Sequence, residues 1–115
     1  MPTSPQPGDV VLVRFPFTDL TTAKLRPAVV LARHGDDLVI VGIFSAAPSA
    51  SRPTWITLIS EHPEFEQTGL RGSSVVKAER IAVIERSVFV RKLGSLSDER
   101  MVALRNAVKV ALNLT

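Results

Sequence analysis

The sequence predicts a mainly β domain, either a sandwich or a small barrel, with one helix at the C-terminus. Seven short runs rich in β-branched and aliphatic residues are separated by turn-forming residues, which is the pattern of small all-β folds. The last segment instead repeats its apolar residues at helical spacing. A length of 115 residues allows one hydrophobic core and no second one. We therefore expect a single domain over residues 1–115.

The strands are predicted from apolar runs that end at proline, glycine or polar residues. Pro16 ends the first run, and a tight hairpin turn at residues 35–37 separates the second run from the third. The polar stretches 17–24, 45–53 and 60–72 are predicted loops, the last with a short helical turn, and the proline-rich residues 1–7 are predicted to form a mobile tail. The predicted strands cover residues 10–15, 28–32, 38–44, 55–58, 73–77, 80–85 and 88–90.

The C-terminal helix is predicted from its cap and from one apolar stripe. Ser97 is a good N-cap residue, and Leu96 before it can pack on Met101. Two acidic residues follow the cap, where the helix dipole favours negative charge, and Asn113 marks the end of the helix. The stripe that must lie against the β-structure consists of Met101, Leu104, Val108 and Ala111.

The composition excludes several classes of function. The chain has no cysteine, which excludes disulfides, thiolate nucleophiles and cysteine-based zinc sites. His34 and His62 are the two histidines, too few for a histidine-rich metal site and poorly placed for a Ser-His-Asp triad. The glycines form no nucleotide-binding motif. No apolar run approaches the roughly 20 residues of a membrane span, and no secretion signal begins the chain, so we expect a cytoplasmic protein.

The charge of the chain permits nucleic acid as a partner. The formal net charge is +3, and ten of the fourteen cationic side chains are arginine. Arginine grips phosphate with a planar, two-pronged fork and stays charged at any working pH. A net charge of +3 is also ordinary for the solubility of a small domain, so charge alone does not decide between these interpretations.

Chemistry that needs neither histidine nor metal remains open, because RNA carries its own nucleophile, the ribose 2′-hydroxyl. A guanidinium and one hydroxyl donor can stabilise the charge that develops on the phosphate and orient it. Arg26, at a strand entry before Pro27, and Ser45, at the end of the third strand, lie about equally far from the hairpin turn. Antiparallel pairing should bring both to one edge of the sheet. On geometry alone, the simpler interpretation is that Arg26 is a cation at the entry of a strand and that Ser45 is the first residue of a loop.

Several blocks of the sequence occur in an order and at a spacing that form a recognisable pattern. They are residues 7–13 (PGDVVLV), 15–19 (FPFTD), 24–31 (KLRPAVVL), 73–81 (SSVVKAERI) and 90–97 (VRKLGSLS), followed by the closing helix. Together they resemble the MazF/PemK-type toxins, which are the toxic halves of type II toxin–antitoxin pairs. The resemblance covers nearly the whole chain.

This resemblance implies an SH3-like barrel with a C-terminal helix, acting as a homodimer and needing no metal or other cofactor. It implies sequence-selective cleavage of single-stranded RNA to 2′,3′-cyclic phosphate and 5′-hydroxyl ends. The substrate in the cell would be mRNA. It also implies inhibition by a cognate antitoxin whose tail lies across the RNA groove.

The resemblance assigns the catalytic roles to Arg26, which stabilises the charge on the scissile phosphate, and to Ser45, which orients that phosphate. Two positions depart from the family pattern. Ser45 stands where many relatives have threonine, and residues 80–82 read Arg-Ile-Ala where many relatives have Gln-x-Arg. Further RNA contacts are expected from Phe17, Thr18, Asp19, Lys24, Arg52, Lys77 and Arg80.

Two other functions stay open on the sequence alone. One is a non-enzymatic toxin of the same fold that binds a protein target such as DNA gyrase. The other is a degenerate barrel that only binds RNA or an antitoxin. Arg26 and Ser45 favour the ribonuclease, because a toxin that acts by binding a protein needs neither residue.

Overall fold

The structure, a computed structural model, describes residues 4–15, 24–45 and 51–114. It confirms a mainly β fold with one C-terminal helix. The strands are β1 (Asp9–Phe15), β2 (Lys24–His34), β3 (Asp37–Ser45), β4 (Trp55–Leu58), β5 (Ser74–Glu85) and β6 (Phe89–Ser95), and the helix is α1 (Asp98–Ala111). Single turns of 3₁₀-helix occupy Glu66–Thr68 and Arg86–Val88.

The strands form one antiparallel sheet in the order β4-β5-β3-β2-β1-β6. Within the described ranges no hydrogen-bonded ladder joins the edge strands β4 and β6, so the sheet curls without closing into a complete barrel. The predicted hairpin between β2 and β3 is present, and its turn begins at Gly35 with φ of +60°. A positive φ at the first turn position is what a type II′ hairpin requires, and glycine adopts it without strain.

The sheet has six strands rather than about seven, because the runs predicted at 73–77 and 80–85 are one strand, β5. The polar sequence at 77–80 interrupts the apolar pattern and therefore suggested a break. In the structure these four residues form a bulge opposite Gly42 of β3, between the pairs Val41–Ile81 and Ile43–Val76. The Ala78 N–H donates to the Thr54 carbonyl at 2.9 Å, so this part of β5 stays bonded to the β4 side of the sheet.

The core consists of two clusters, one on each face of the curled sheet. The first cluster joins the sheet to α1 and contains Val10, Val29, Val41, Ile43, Leu58, Val76, Ala78, Leu96, Met101, Leu104, Ala107 and Val108. The second cluster lies on the opposite face and contains Val11, Val13, Ala28, Val30, Leu38, Ile40, Ala82 and Ile84. Neighbouring residues of a strand, such as Val10 and Val11, belong to different clusters, as the alternation of side chains in a pleated strand requires.

The helix begins and ends where the sequence predicts. The Ser97 side chain accepts a hydrogen bond from the Arg100 N–H at 3.3 Å, and Asn113 adopts a φ of +57° just after the helix. Met101, Leu104 and Val108 are buried against the first cluster. The helix has 14 residues, and no helix in the described part of the chain is long and apolar enough to cross a membrane.

We expect Ser97→Ala to lower the free energy of unfolding by about 1 kcal/mol, because the first turn of α1 loses its side-chain acceptor. Urea unfolding followed by circular dichroism measures this change. Ser51→Ala, at an exposed position outside every helix and strand, serves as the control. Equal stability of the two variants would contradict a stabilising cap.

A close backbone contact fixes the segment before β5 to the edge strand β6. A Cβ atom at Gly94 would overlap the backbone of Gln67 and Thr68, and one at Gly69 would overlap the Leu93 carbonyl. The buried Thr68 orders the same segment, since its hydroxyl donates to the Phe65 carbonyl at 2.6 Å and accepts from the Leu70 N–H at 3.2 Å. Residues 69–74 therefore have a defined position beside the sheet.

The N-terminal residues within the described ranges are tied to the start of β1. Pro5 is buried, and the Gln6 N–H donates to the Asp9 carboxylate at 2.9 Å. Lys92 of β6 forms an ion pair with the same carboxylate at 3.3 Å. The mobility predicted for residues 1–7 stays a prediction.

Candidate functional site

The register of β2 and β3 brings Arg26 and Ser45 to the same end of the sheet. The last recorded pair is Ala28 with Gly42. Arg26 lies two residues beyond this pair on β2, and Ser45 lies three residues beyond it on β3. Both residues therefore lie toward the same end of the antiparallel β2–β3 pair, and their catalytic roles stay a prediction.

The two residues approach this edge from opposite faces. Arg26 pairs with Val13, a member of the second cluster, and so lies on the face of that cluster. Ser45 is two residues after Ile43, a member of the first cluster, and so lies on the other face. A group held by both side chains must lie over the end of β3.

Arg26 carries an unsatisfied polar atom. Its side chain is half-buried, and its Nε is buried with no hydrogen-bond partner among the described residues. Buried polar groups are nearly always paired, and an exception calls for an explanation. A guanidinium held in this way still has donors for a bound anion.

Ser45 opens into a pocket, here called the Ser45 pocket, with a volume of about 410 Å³. One part of its wall is apolar and consists of Leu12, Pro27, Leu70 and Leu93. The other part is polar and consists of Ser45, Arg71, Ser73, Ser74 and Arg91. The lining contains two arginines and no acidic side chain.

Apart from Ser45, the sequence analysis did not predict the polar wall of the Ser45 pocket. Residues 71–74 read Arg-Gly-Ser-Ser directly before β5, and such a run of small hydroxyl side chains beside an arginine was a usable signal. Arg91 had no comparable signal. It reaches the pocket because β6 pairs with β1, which puts Arg91 opposite Leu12.

A second feature, here called the aromatic–basic patch, consists of Phe44, Arg52, Trp55, Lys77 and Arg80. The Lys77 Nζ lies 4.9 Å from the centre of the Phe44 ring and 4.7 Å from the centre of the Trp55 ring. The guanidinium carbons of Arg52 and Arg80 lie 5.0 Å from the Trp55 ring and 6.0 Å from the Phe44 ring, respectively. These separations are typical of cation–π contacts.

The structure thus brings together three of the cations predicted to contact RNA. Arg52, Lys77 and Arg80 come from a loop and from the bulge of β5, and they meet around two aromatic rings. Lys24 is exposed at the start of β2, two residues before Arg26 and on the same face of the strand. Phe17, Thr18 and Asp19, also predicted to contact RNA, lie outside the described residues.

Glu79 contacts two members of the aromatic–basic patch, Trp55 and Arg52. Its Oε2 accepts a hydrogen bond from the Trp55 indole at 3.0 Å and lies 3.5 Å from the Arg52 guanidinium. Partial burial by itself raises the pKa of Glu79. Hydrogen bonds from its own backbone N–H, from Trp55 and from Thr54, with the charge of Arg52, outweigh that effect and hold the pKa below its ordinary value of 4.5.

We expect the Glu79 contacts to stabilise the fold near neutral pH and to lose this effect in acid. A lowered pKa in the folded state favours folding above the unfolded value of 4.5, and that contribution disappears as the pH falls through the folded pKa. Glu79→Gln should therefore be less stable than the parent protein at pH 7, with a difference that shrinks below pH 4.5. Urea unfolding at both pH values tests this, with Glu61→Gln in an exposed loop as the control. A difference independent of pH would contradict the assignment.

The remaining acidic side chains of interest have other partners or stand apart. Asp9 is bonded to Gln6 and Lys92, which agrees with a structural role at the strand entry. Glu64 forms an ion pair with Arg100 at 3.4 Å. In the described ranges no three histidine, aspartate or glutamate side chains come together in a cluster that could hold a metal ion.

Comparison with known proteins identifies a family for almost the whole chain. The model of a family described as PemK-like, MazF-like toxin of type II toxin–antitoxin system matches residues 6–112. Among curated protein sequences, none matches this chain.

Several solved structures share the fold. A mycobacterial endoribonuclease in complex with its cognate antitoxin is 21% identical, with 96% of this chain and 97% of that chain covered and a TM-score of 0.73. A chain of a MazE–MazF crystal structure from Deinococcus radiodurans is similar (22% identity, 98% and 100% covered, TM-score 0.74). So is the Mycobacterium tuberculosis toxin MazF-mt6 (20% identity, 93% and 98% covered, TM-score 0.71). The likeness extends over nearly the full length of each chain.

Proposed function

Because this chain belongs to the PemK-like, MazF-like toxins of type II toxin–antitoxin systems, we propose that it is a ribonuclease. In this proposal it cleaves single-stranded RNA at selected sequences and needs no metal ion. The solved structures that share the fold include endoribonucleases, which supports this class of reaction.

One observation carries the proposal for this particular chain. The half-buried Arg26, whose Nε has no partner in the described part of the chain, lies toward the same end of the sheet as Ser45, where a pocket at Ser45 and a patch at Phe44 both carry cationic side chains. Such a concentration of guanidinium groups around one hydroxyl suits a phosphodiester. The aromatic rings of the patch suit unpaired bases, which stack on aromatic side chains.

The proposed reaction uses the 2′-hydroxyl of the substrate as the nucleophile. Its oxygen forms a bond to the phosphorus while the bond from phosphorus to the 5′-oxygen breaks. The 2′-hydroxyl gives its proton to water and the leaving 5′-oxygen takes a proton from water, which yields a 2′,3′-cyclic phosphate and a 5′-hydroxyl.

Arg26 and Ser45 act on the phosphate in this scheme. The Arg26 guanidinium stabilises the negative charge that grows on the non-bridging oxygens, and the Ser45 hydroxyl donates to one of these oxygens and fixes its orientation. We assign no proton transfer to Arg26, because a guanidinium keeps its proton at any working pH.

We also propose that the chain works as a cytoplasmic homodimer and is inhibited by a cognate antitoxin. Solved structures of the same fold contain such a partner, as in the MazE–MazF complex. The outer side of α1 and the residues after it expose Val102, Val110 and Leu114, a surface that fits burial against another chain. A single monomeric species at micromolar concentration in light scattering would count against the dimer.

The proposed reaction is tested by mapping the products of a long single-stranded RNA incubated with the purified protein and EDTA. We expect discrete cuts whose 5′ ends accept phosphate from polynucleotide kinase without prior dephosphorylation. The same RNA with 2′-O-methyl groups at the cut positions serves as the control, since it lacks the nucleophile. Intact RNA after incubation with folded protein, or cleavage only after a divalent metal is added, would overturn the proposal.

We expect Ser45→Ala to slow this cleavage markedly and Ser45→Thr to preserve it, because threonine keeps the hydroxyl. Loss of one charge-assisted hydrogen bond corresponds to roughly a tenfold to hundredfold slower reaction. Single-turnover rates on one mapped site measure the effect. An alanine variant as fast as the parent, or a threonine variant as slow as alanine, would remove Ser45 from the reaction.

A further inference from the structure

The Ser45 pocket is larger than the space needed for the Ser45 hydroxyl to orient one phosphate. Its volume of about 410 Å³ falls in the range of sites that bind small organic molecules. Its wall is divided between a leucine-rich part and a part with two arginines and three serines. A ligand that fits both parts has an apolar, flat portion and a strongly anionic portion.

The two arginines of the pocket are available to an anion. Neither Arg71 nor Arg91 forms an ion pair or a hydrogen bond with any of the described residues, whereas Arg52, Lys92 and Arg100 each have an acidic partner. Arg91 is exposed on an edge strand, and Arg71 is exposed in the segment that Gly69 and Gly94 hold against that strand. The two guanidinium groups thus approach the pocket from separate elements whose relative position is fixed.

The hydroxyl groups add acceptors and donors to the same wall. The Ser74 hydroxyl donates to the Gly72 carbonyl at 2.8 Å, which orients it, and the Ser73 hydroxyl is bonded to Ser60. The Ser45 hydroxyl has no bond within the described residues and faces the pocket. An anion bound by Arg71 and Arg91 would therefore lie close to the Ser45 hydroxyl, which we propose orients the scissile phosphate.

We propose that the Ser45 pocket binds one nucleotide of the RNA next to the cleavage point. Its base lies against Leu12, Leu70 and Leu93, and Arg71 and Arg91 hold its phosphate. This inference rests on the proposed function, because RNA is its ligand. The RNA strand then runs from the aromatic–basic patch on one face of β3, over Phe44 and Ser45, into the pocket on the other face.

The charge pattern favours RNA over an acidic peptide as the occupant. The aromatic–basic patch and the pocket meet at consecutive residues of β3, and both combine cations with apolar surface. A single strand offers phosphates and flat bases in regular alternation, which matches both features. An acidic peptide offers the charges without the rings.

The experiment measures binding of a short fluorescent oligoribonucleotide of random sequence that is fully 2′-O-methylated and therefore resists cleavage. Anisotropy titrations at several salt concentrations compare the parent protein with the double variant Arg71→Ala/Arg91→Ala. The control Arg86→Ala lies at the other end of the sheet, after β5. We expect the double variant to bind at least about tenfold more weakly. The slope of log K against log salt should fall by about 0.7 for each lost phosphate contact, while Arg86→Ala leaves both quantities unchanged.

A second variant tests the apolar wall. Leu70→Ala should weaken binding of the oligoribonucleotide and leave binding of inorganic polyphosphate unchanged, because polyphosphate has no base to place against the leucines. Circular dichroism verifies that this variant is folded. Equal loss for both probes would overturn the placement of the base.

The outcomes separate this inference from the proposed function. If the parent protein cleaves RNA but the double variant binds it with unchanged affinity and slope, the nucleotide pocket is wrong and the ribonuclease stands. If binding depends on Arg71 and Arg91 but no RNA is cut, the pocket stands and the ribonuclease is wrong. If the double variant binds RNA as the parent protein does and loses only the binding of a polyglutamate peptide, the pocket belongs to an acidic protein partner and the inference is overturned.

Discussion

Replacing Arg26 by alanine is expected to slow RNA cleavage by about 10²–10³-fold, the effect of removing one preorganised donor from a developing negative charge. The reason lies in where Arg26 is held. Its side chain is half-buried on the face of the second cluster, so its charge acts in a medium less polar than water. The Arg26 Nε also has no partner among the described side chains that would compete with a phosphate.

The measurement is a single-turnover cleavage rate at one mapped site in excess protein. Arg33→Ala is the matched control, because Arg33 lies on the same strand at the hairpin end and bonds to the Gly35 carbonyl at 3.1 Å. Arg26→Lys keeps a positive charge and loses the two-pronged fork, so its rate should fall between those of the parent and the alanine variant. A folded Arg26→Ala variant that cleaves as fast as Arg33→Ala would exclude Arg26 from catalysis.

The second large effect concerns stability and arises at Gly94. Gly94→Ala should reduce the free energy of unfolding by about 3 kcal/mol, since the new methyl group would overlap the backbone of Gln67 and Thr68. Backbone atoms cannot rotate away as the end of a flexible side chain does. The segment 66–72 would have to detach from β6, which would also disturb the wall of the Ser45 pocket.

The matched control for this change is Gly72→Ala. A Cβ at Gly72 meets nothing within 4 Å, and the backbone there has no positive φ. Urea unfolding of both variants gives the comparison, and Gly72→Ala should differ from the parent by about 0.5 kcal/mol or less. Similar stability of the two variants would mean that the segment before β5 does not depend on its contact with β6.

The two clearest successes of the sequence reading depend on local patterns. The C-terminal helix shows its cap at Ser97 and its apolar stripe through Met101, Leu104 and Val108 within one continuous segment. The β2–β3 hairpin shows its turn at Gly35 between two apolar runs. Neither prediction needs information from a distant part of the chain. The register of one hairpin was also enough to bring Arg26 and Ser45 to one edge.

The failures involve residues whose roles depend on distant partners. Ala78 and Glu79 were predicted to separate two strands, yet they belong to β5, which stays bonded to the β4 side through the Trp55–Lys77 pair and the Ala78 N–H. The sequence of β5 itself does not show that this strand pairs with β4. For the same reason the sequence did not show that Lys77 and Arg80 would meet at Phe44.

The sequence by itself determined the mainly β class, the helix with its boundaries and the two residues to which the family resemblance gives the chemistry. These follow from periodicity, turn residues and short motifs, which are properties of contiguous segments. Only the tertiary structure decided that Arg26 and Ser45 face opposite sides of the sheet. It alone joined Arg71 and Arg91 in one pocket, because the pairing of β6 with β1 and the packing of Gly94 against Gln67 and Thr68 bring distant segments together.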